Sequence, residues 1–118
     1  MPHILIIARG EGVRRLMQEV AGRLGWTSDA VQDEVRGFAA VLDMRPDLLI
    51  FDVGIWKMGM VLVGVIRSRP NLMHLPIILM SGGDTTEAQA LQAGANAFLP
   101  KPFLPDVACE ILGKLLPG

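Results

Sequence analysis

Four polar side chains follow apolar runs in this sequence, and together they could do chemistry. Asp52 follows Leu48–Phe51, Ser81 follows Pro76–Met80, Lys101 lies just past Ala97–Leu99, and Ala8-Arg9 follow His3–Ile7. Brought to one edge, they would set a carboxylate and a hydroxyl beside two cations. The plainer alternative is a strand-end carboxylate paired with Lys101 and a hydroxyl satisfied locally. Other candidates carry less. Cys109 is the single cysteine, which excludes an internal disulfide or a cysteine metal cage, and its apolar neighbours suit a small buried hydrophobe. His3 and His74 stand at a strand start and before a strand, positions for structural or surface roles. Gly10 and Gly12 hint at a dinucleotide-binding loop, but Arg15 stands where its third glycine belongs.

The elements that would position these residues follow from hydrophobic spacing. His3–Ile7, Leu48–Phe51 and Pro76–Met80 are near-continuous apolar runs, as expected of strands covered on both faces; Thr27–Val31 and Ala97–Leu99 are weaker strands. Between them, Val13, Leu16, Met17, Val20, Ala21 and Leu24 trace one helix face, stopped by Gly25. Val35, Phe38, Ala39 and Leu42 predict a second helix, ended by Pro46. Val61, Leu62, Val65 and Ile66 predict a third, closed by Pro70. Asp84 with Glu87 reads as an N-cap and its reciprocal partner for a fourth. Pro105 suits the first turn of a fifth, with Val107, Ala108, Ile111, Leu112 and Leu115 inward.

Strict alternation implies an α/β fold: a doubly wound, five-stranded parallel sheet with right-handed crossovers. Its functional crevice lies beyond the carboxyl ends of the strands, where Arg9, Asp52, Ser81 and Lys101 stand. The 118 residues suit one domain spanning 1–118, and 51% hydrophobic residues supply its core. The formal charge of −1 comes without a basic, aromatic-interleaved stripe, so nucleic-acid binding is not expected. Met60–Ile66 falls well short of the ~20 residues that span a bilayer. Met1-Pro2-His3 shows no basic leader. The expectation is a cytoplasmic domain without membrane contact.

Three segments carry a family resemblance. Pro46-Asp47-Leu48-Leu49-Ile50-Phe51-Asp52, Leu75-Pro76-Ile77-Ile78-Leu79-Met80-Ser81 and Gly94–Phe103, in this order and at these separations, resemble the receiver domain of bacterial response regulators along essentially the whole chain. The resemblance implies the strand order 2-1-3-4-5 of the flavodoxin-like receiver fold. It implies that Asp52 is the phosphoacceptor, that Ser81 and Lys101 bind the phosphoryl group, and that Phe98 is the switch aromatic. The Lys101–Pro102 bond would be cis. It further implies a non-enzymatic phosphorelay protein that signals through protein partners, a histidine kinase or another signalling protein, with homodimerisation left open.

Two departures stand out. The family places an acidic pair after the first strand to hold a divalent metal; here Ala8 and Arg9 take those positions. Asp52, Arg9 and Lys101 sum to roughly plus one before any metal arrives, and hard oxygen ligands are missing. No metal, magnesium included, and no other cofactor is therefore expected, and Arg9 is expected to reach Asp52. The loop after Asp52 is also unusual. Trp56, Met58 and Met60 are candidates for a hydrophobic recognition patch, the alternative being local packing. Beside the phosphoacceptor reading stand two others: a phosphorylation-independent pseudo-receiver held in one state by Arg9, Asp52 and Lys101, and a flavodoxin-like small-molecule binder.

Overall fold

The structure, a computed structural model, describes residues 1–53, 56–83 and 85–116, and the side chains of all of these save 56–58. Strands and helices alternate as the spacing predicts: β1 (His3–Ile7), α1 (Glu11–Arg23), β2 (Thr27–Val31), α2 (Glu34–Met44), β3 (Leu48–Asp52), α3 (Trp56–Ser68), β4 (Ile77–Ser81), α4 (Glu87–Ala93), β5 (Ala97–Pro100) and α5 (Pro105–Leu115). All pairings are parallel, in the order β2-β1-β3-β4-β5. Alternate residues of each strand face opposite sides. Leu5, Ile7, Leu49, Phe51, Ile77 and Leu79 pack under α2, α3 and α4, whereas Ile4, Ile6, Leu48, Ile50, Ile78 and Met80 pack under α1 and α5. Burial on both faces is why these runs are apolar without alternation.

Helix ends follow local chemistry. Gly25 and Gly94 take left-handed backbone angles after α1 and α4, where a side chain would be strained. Arg45 does the same after α2, before Pro46. α4 opens differently from the expected Asp84–Glu87 arrangement. Thr86 is the N-cap: its hydroxyl accepts from the Gln89 amide at 3.2 Å, while Gln89 Oε1 accepts from the Thr86 amide at 2.9 Å. Asp84 itself lies outside the described residues.

Two helix faces also differ from the expected ones. α2 buries Gly37, Ala40 and Val41, and leaves Ala39, Leu42 and Val35 exposed, Val35 by 82%. A Cβ at Gly37 would collide with the Ile7 side chain, so the backbone of α2 lies directly on β1. That close approach turns the small-residue face inward and the β-branched Val35 out. In α3, Leu62, Val63 and Ile66 are buried while Val61 and Val65 are exposed. Val35, Phe38, Val61, Leu62 and Val65, with Glu34 at the rim, line an open apolar groove between α2 and α3.

Polar ties fix the loops. Arg67, near the end of α3, donates through Nε to Gly94 O at 2.9 Å and through Nη1 to Met73 O and Leu75 O at 3.0 and 2.7 Å. Its Nη2 donates to Asn96 Oδ1 at 2.9 Å, and that oxygen also accepts from the Ile77 amide. Burial pulls the Arg67 pKa below its usual value. One side chain thus joins the loops that lead into β4 and β5. At the opposite sheet edge, the His3 ring bridges Thr27 Oγ1 and Asp29 Oδ2, a structural role as expected. Cys109 is half-buried against the α1/α5 core.

Candidate functional site

The site forms where β1, β3, β4 and β5 end, as parallel topology requires. The pairing of Ile7 with Phe51 brings Ala8 level with Asp52, and Ser81 stands beside Pro100. The Asp52 side chain is only 10% exposed, and the Lys101 ammonium covers it. Nζ donates to Oδ2 at 2.9 Å and stands 2.8 Å from Oδ1. Oδ1 is buried, yet among the described residues it accepts no hydrogen bond of good geometry; its one close cation is Lys101. An oxygen so placed is costly unless something further approaches it.

Lys101 is held by its backbone, whose amide donates to Ser81 O at 2.9 Å, and the Lys101–Pro102 peptide is cis, as the resemblance implies. Ser81 is buried, and its hydroxyl accepts from the Gly83 amide at 3.2 Å. That bond uses an oxygen lone pair and leaves the hydroxyl proton for another acceptor. Phe98, opposite Leu79 in the β4–β5 ladder, is buried in the core under α3 and α4.

The loop after β1 is where the structure departs from expectation. Arg9 does not reach for Asp52. Its Nη2 pairs with Glu34 Oε2 at 3.2 Å, at the first turn of α2, and the Arg9 side chain is 68% exposed. The reason is local: Lys101 already occupies the carboxylate, and a guanidinium facing water keeps its hydration while meeting Glu34. Such an exposed pair contributes about 0–1 kcal/mol. The charge account changes too, since Glu34 joins Asp52 as a second carboxylate against two cations. Arg14 supplies an unforeseen tie: its Nη1 donates to Ala8 O at 2.7 Å and Arg9 O at 2.8 Å, fixing the loop. Glu34 and Arg14 lie on α2 and α1, away from the strand ends. No spacing rule links them to Asp52.

A divalent cation of the magnesium type needs several hard oxygen ligands. The positions after β1 offer a buried methyl, Ala8, and a guanidinium, Arg9. Glu11 is engaged with Arg15 on α1 at 2.8 Å. Among the described residues no three His, Cys, Asp or Glu side chains cluster. These residues do not fit the metal that such a site would otherwise hold. Met60 is half-buried and packs on the α2/α3/α4 core, the local-packing alternative; the side chains of Trp56 and Met58 lie outside the described residues. No helix among the described residues is long and apolar enough to cross a membrane.

The chain is similar to known proteins along most of its length. The family model for the response regulator receiver domain matches residues 4–112. The chemotaxis protein CheY1 of Helicobacter pylori is 33% identical over 120 residues, covering 96% of this chain and 95% of its own length. Protein PetR of Rhodobacter capsulatus is also 33% identical, over 107 residues, and the chain spans only 44% of that relative's length. Among solved structures, the chemotaxis response regulator CheY4 of Vibrio cholerae superimposes with a TM-score of 0.88 at 23% identity, covering 98% of this chain and 99% of that one, a likeness of fold.

Proposed function

Because the chain belongs to the response regulator receiver domain family of two-component signalling, we propose that Asp52 is its phosphoacceptor and that phosphorylation changes its contacts with protein partners. The observation that carries this reading is the Asp52 carboxylate itself. It is nearly buried at the strand ends, held by Lys101, and its Oδ1 is unbonded by any described donor. A carboxylate oxygen can attack phosphorus and form an acyl phosphate. Phosphoryl transfer needs mainly positioning and cationic stabilisation. Lys101 would neutralise the growing charge, and the hydroxyl proton of Ser81 would be donated in a hydrogen bond to a phosphoryl oxygen. Ser81 and Phe98 would shift together and re-face the surface of α4, β5 and α5 toward a histidine kinase or a downstream protein. The domain would act in the cytoplasm, without an enzymatic output of its own and without a magnesium requirement.

The test is incubation with acetyl phosphate, with and without magnesium, read by intact mass. A gain of one phosphoryl group that Asp52→Asn abolishes supports the reading. Its absence under both conditions would sink it. A specific observation favours the second reading in that event: Lys101 already contacts both carboxylate oxygens. A pseudo-receiver of that kind would bind its partner equally well as wild type and as Asp52→Asn.

A further inference from the structure

We propose that Arg9 is a catalytic cation of this site: its guanidinium parts from Glu34 and binds the phosphoryl group as that group arrives on Asp52; the inference rests on Asp52 being the phosphoacceptor. Three observations converge. First, the positions that would carry metal ligands present a buried methyl and a guanidinium, so positive charge must come from side chains. Second, the register places residue 8 beside Asp52 and Arg9 one step beyond it. Neighbouring strands lie about 4.8 Å apart and residues along a strand about 3.3 Å apart. An arginine side chain spans about two residues of extended chain, ~6–7 Å, and so reaches a group seated on the Asp52 carboxylate. Third, Arg9 is held by one exposed ion pair of 3.2 Å, and exposed side chains change rotamer within nanoseconds.

The charges favour the move only during reaction. Before it, Lys101 already contacts both oxygens of Asp52, and Arg9 is paired with Glu34. In the transfer, an Asp52 oxygen forms a bond to phosphorus while the bond from phosphorus to the acyl oxygen of an acyl phosphate donor breaks. The carboxylate leaving group departs with the electron pair, and no proton is required. The product carries roughly one more negative charge than the carboxylate it replaces. Lys101 no longer balances it, and a second cation does. A guanidinium fork matches phosphoryl oxygens in a bidentate manner that an ammonium cannot. Arg14 keeps the backbone of residues 8 and 9 fixed, so only the Arg9 side chain needs to turn. Glu34 is thus a competitor for the cation.

The experiment measures the initial rate of phosphoryl incorporation from acetyl phosphate, in excess chelator, for the wild type, Arg9→Ala, Arg9→Lys and Glu34→Gln. One preorganised donor is typically worth 10²–10³ in rate, and an exposed, mobile one less, so Arg9→Ala is expected to be on the order of tenfold slower. Arg9→Lys falls between it and wild type. Glu34→Gln frees Arg9 and is expected to be faster, by up to about fivefold, the equivalent of one exposed ion pair. Circular dichroism melts confirm that each variant folds; the exposure of Arg9 makes this the expected result. Wild-type labelling with Arg9→Ala and Glu34→Gln unchanged overturns the role of Arg9 and leaves Asp52 as acceptor. No labelling of wild-type protein in chelator overturns the role of Arg9, and no labelling with magnesium added either overturns Asp52 as acceptor as well.

Discussion

Replacing Lys101 with alanine strips a carboxylate that is nearly buried of its one close cation among the described residues. The cost can be bracketed from the geometry. Breaking a fully buried pair by removing one partner typically costs about 3–5 kcal/mol, whereas an exposed pair is worth about 0–1 kcal/mol. Asp52 is 10% exposed and Lys101 30%, which places the pair between these limits and nearer the buried one. Lys101→Ala is therefore expected to destabilise the fold by about 2–3 kcal/mol. Asp52→Asn removes the charge but keeps the shape, and Lys101 can turn to water, so about 0–1 kcal/mol is expected for it. In the double variant the neutral amide no longer needs a cation. Its total cost should stay close to that of Asp52→Asn alone, a coupling of roughly 2 kcal/mol. Urea melts of the four proteins give these values, provided that the denaturant slope is the same for all. Additive losses, with Lys101→Ala costing under about 0.5 kcal/mol, would refute the reasoning: water would then already be solvating the carboxylate.

Other expectations follow from particular contacts. Arg67→Ala leaves Gly94 O and Leu75 O part-buried without their donor, and is expected to cost about 2–4 kcal/mol in urea melts, with Arg67→Lys recovering only part of it. Gly37→Val forces α2 off Ile7 and is expected to cost about 1–3 kcal/mol, read as a lowered Tm. Calorimetric titration is expected to show tighter magnesium binding by an Ala8→Asp, Arg9→Asp double variant than by wild type; equal affinity would mean that other groups supply the ligands.

The strands were legible because burial on both faces leaves an unbroken apolar run, a signal contained in each segment. Asp52, Ser81 and Lys101 were legible for a related reason: parallel topology delivers every strand end to one edge. Helix faces were harder. The inward face of α2 is set by contact between Gly37 and Ile7, thirty residues apart in sequence, and no periodicity announces it. The cap of α4 had two overlapping candidates, Asp84 with Glu87 and Thr86 with Gln89, and the choice depends on where the loop can start a helix. Arg9 stands on the expected edge but with a different partner, Glu34. Formal charge draws it toward Asp52, yet Lys101 takes that position and Glu34 arrives from another crossover. Pairwise attraction was readable from the sequence; competition between partners required the fold.

The uneven covering of the sheet divides the site into slow and fast halves. β4 is buried at all five positions, and β3 at every position but its last. β2, at the sheet edge, exposes Thr27 and Asp29 and buries no residue fully. Backbone opening follows local packing, so amide exchange at β3 and β4 must await global unfolding, while the β2 edge opens by local fluctuation. Asp52 and Ser81 stand on the slow strands. Arg9 follows the buried strand β1, while its partner Glu34 opens α2 just past β2. A rigid carboxylate and hydroxyl thus share the site with a cation whose partner, Glu34, stands beside the labile margin, and that margin can rearrange without the centre moving.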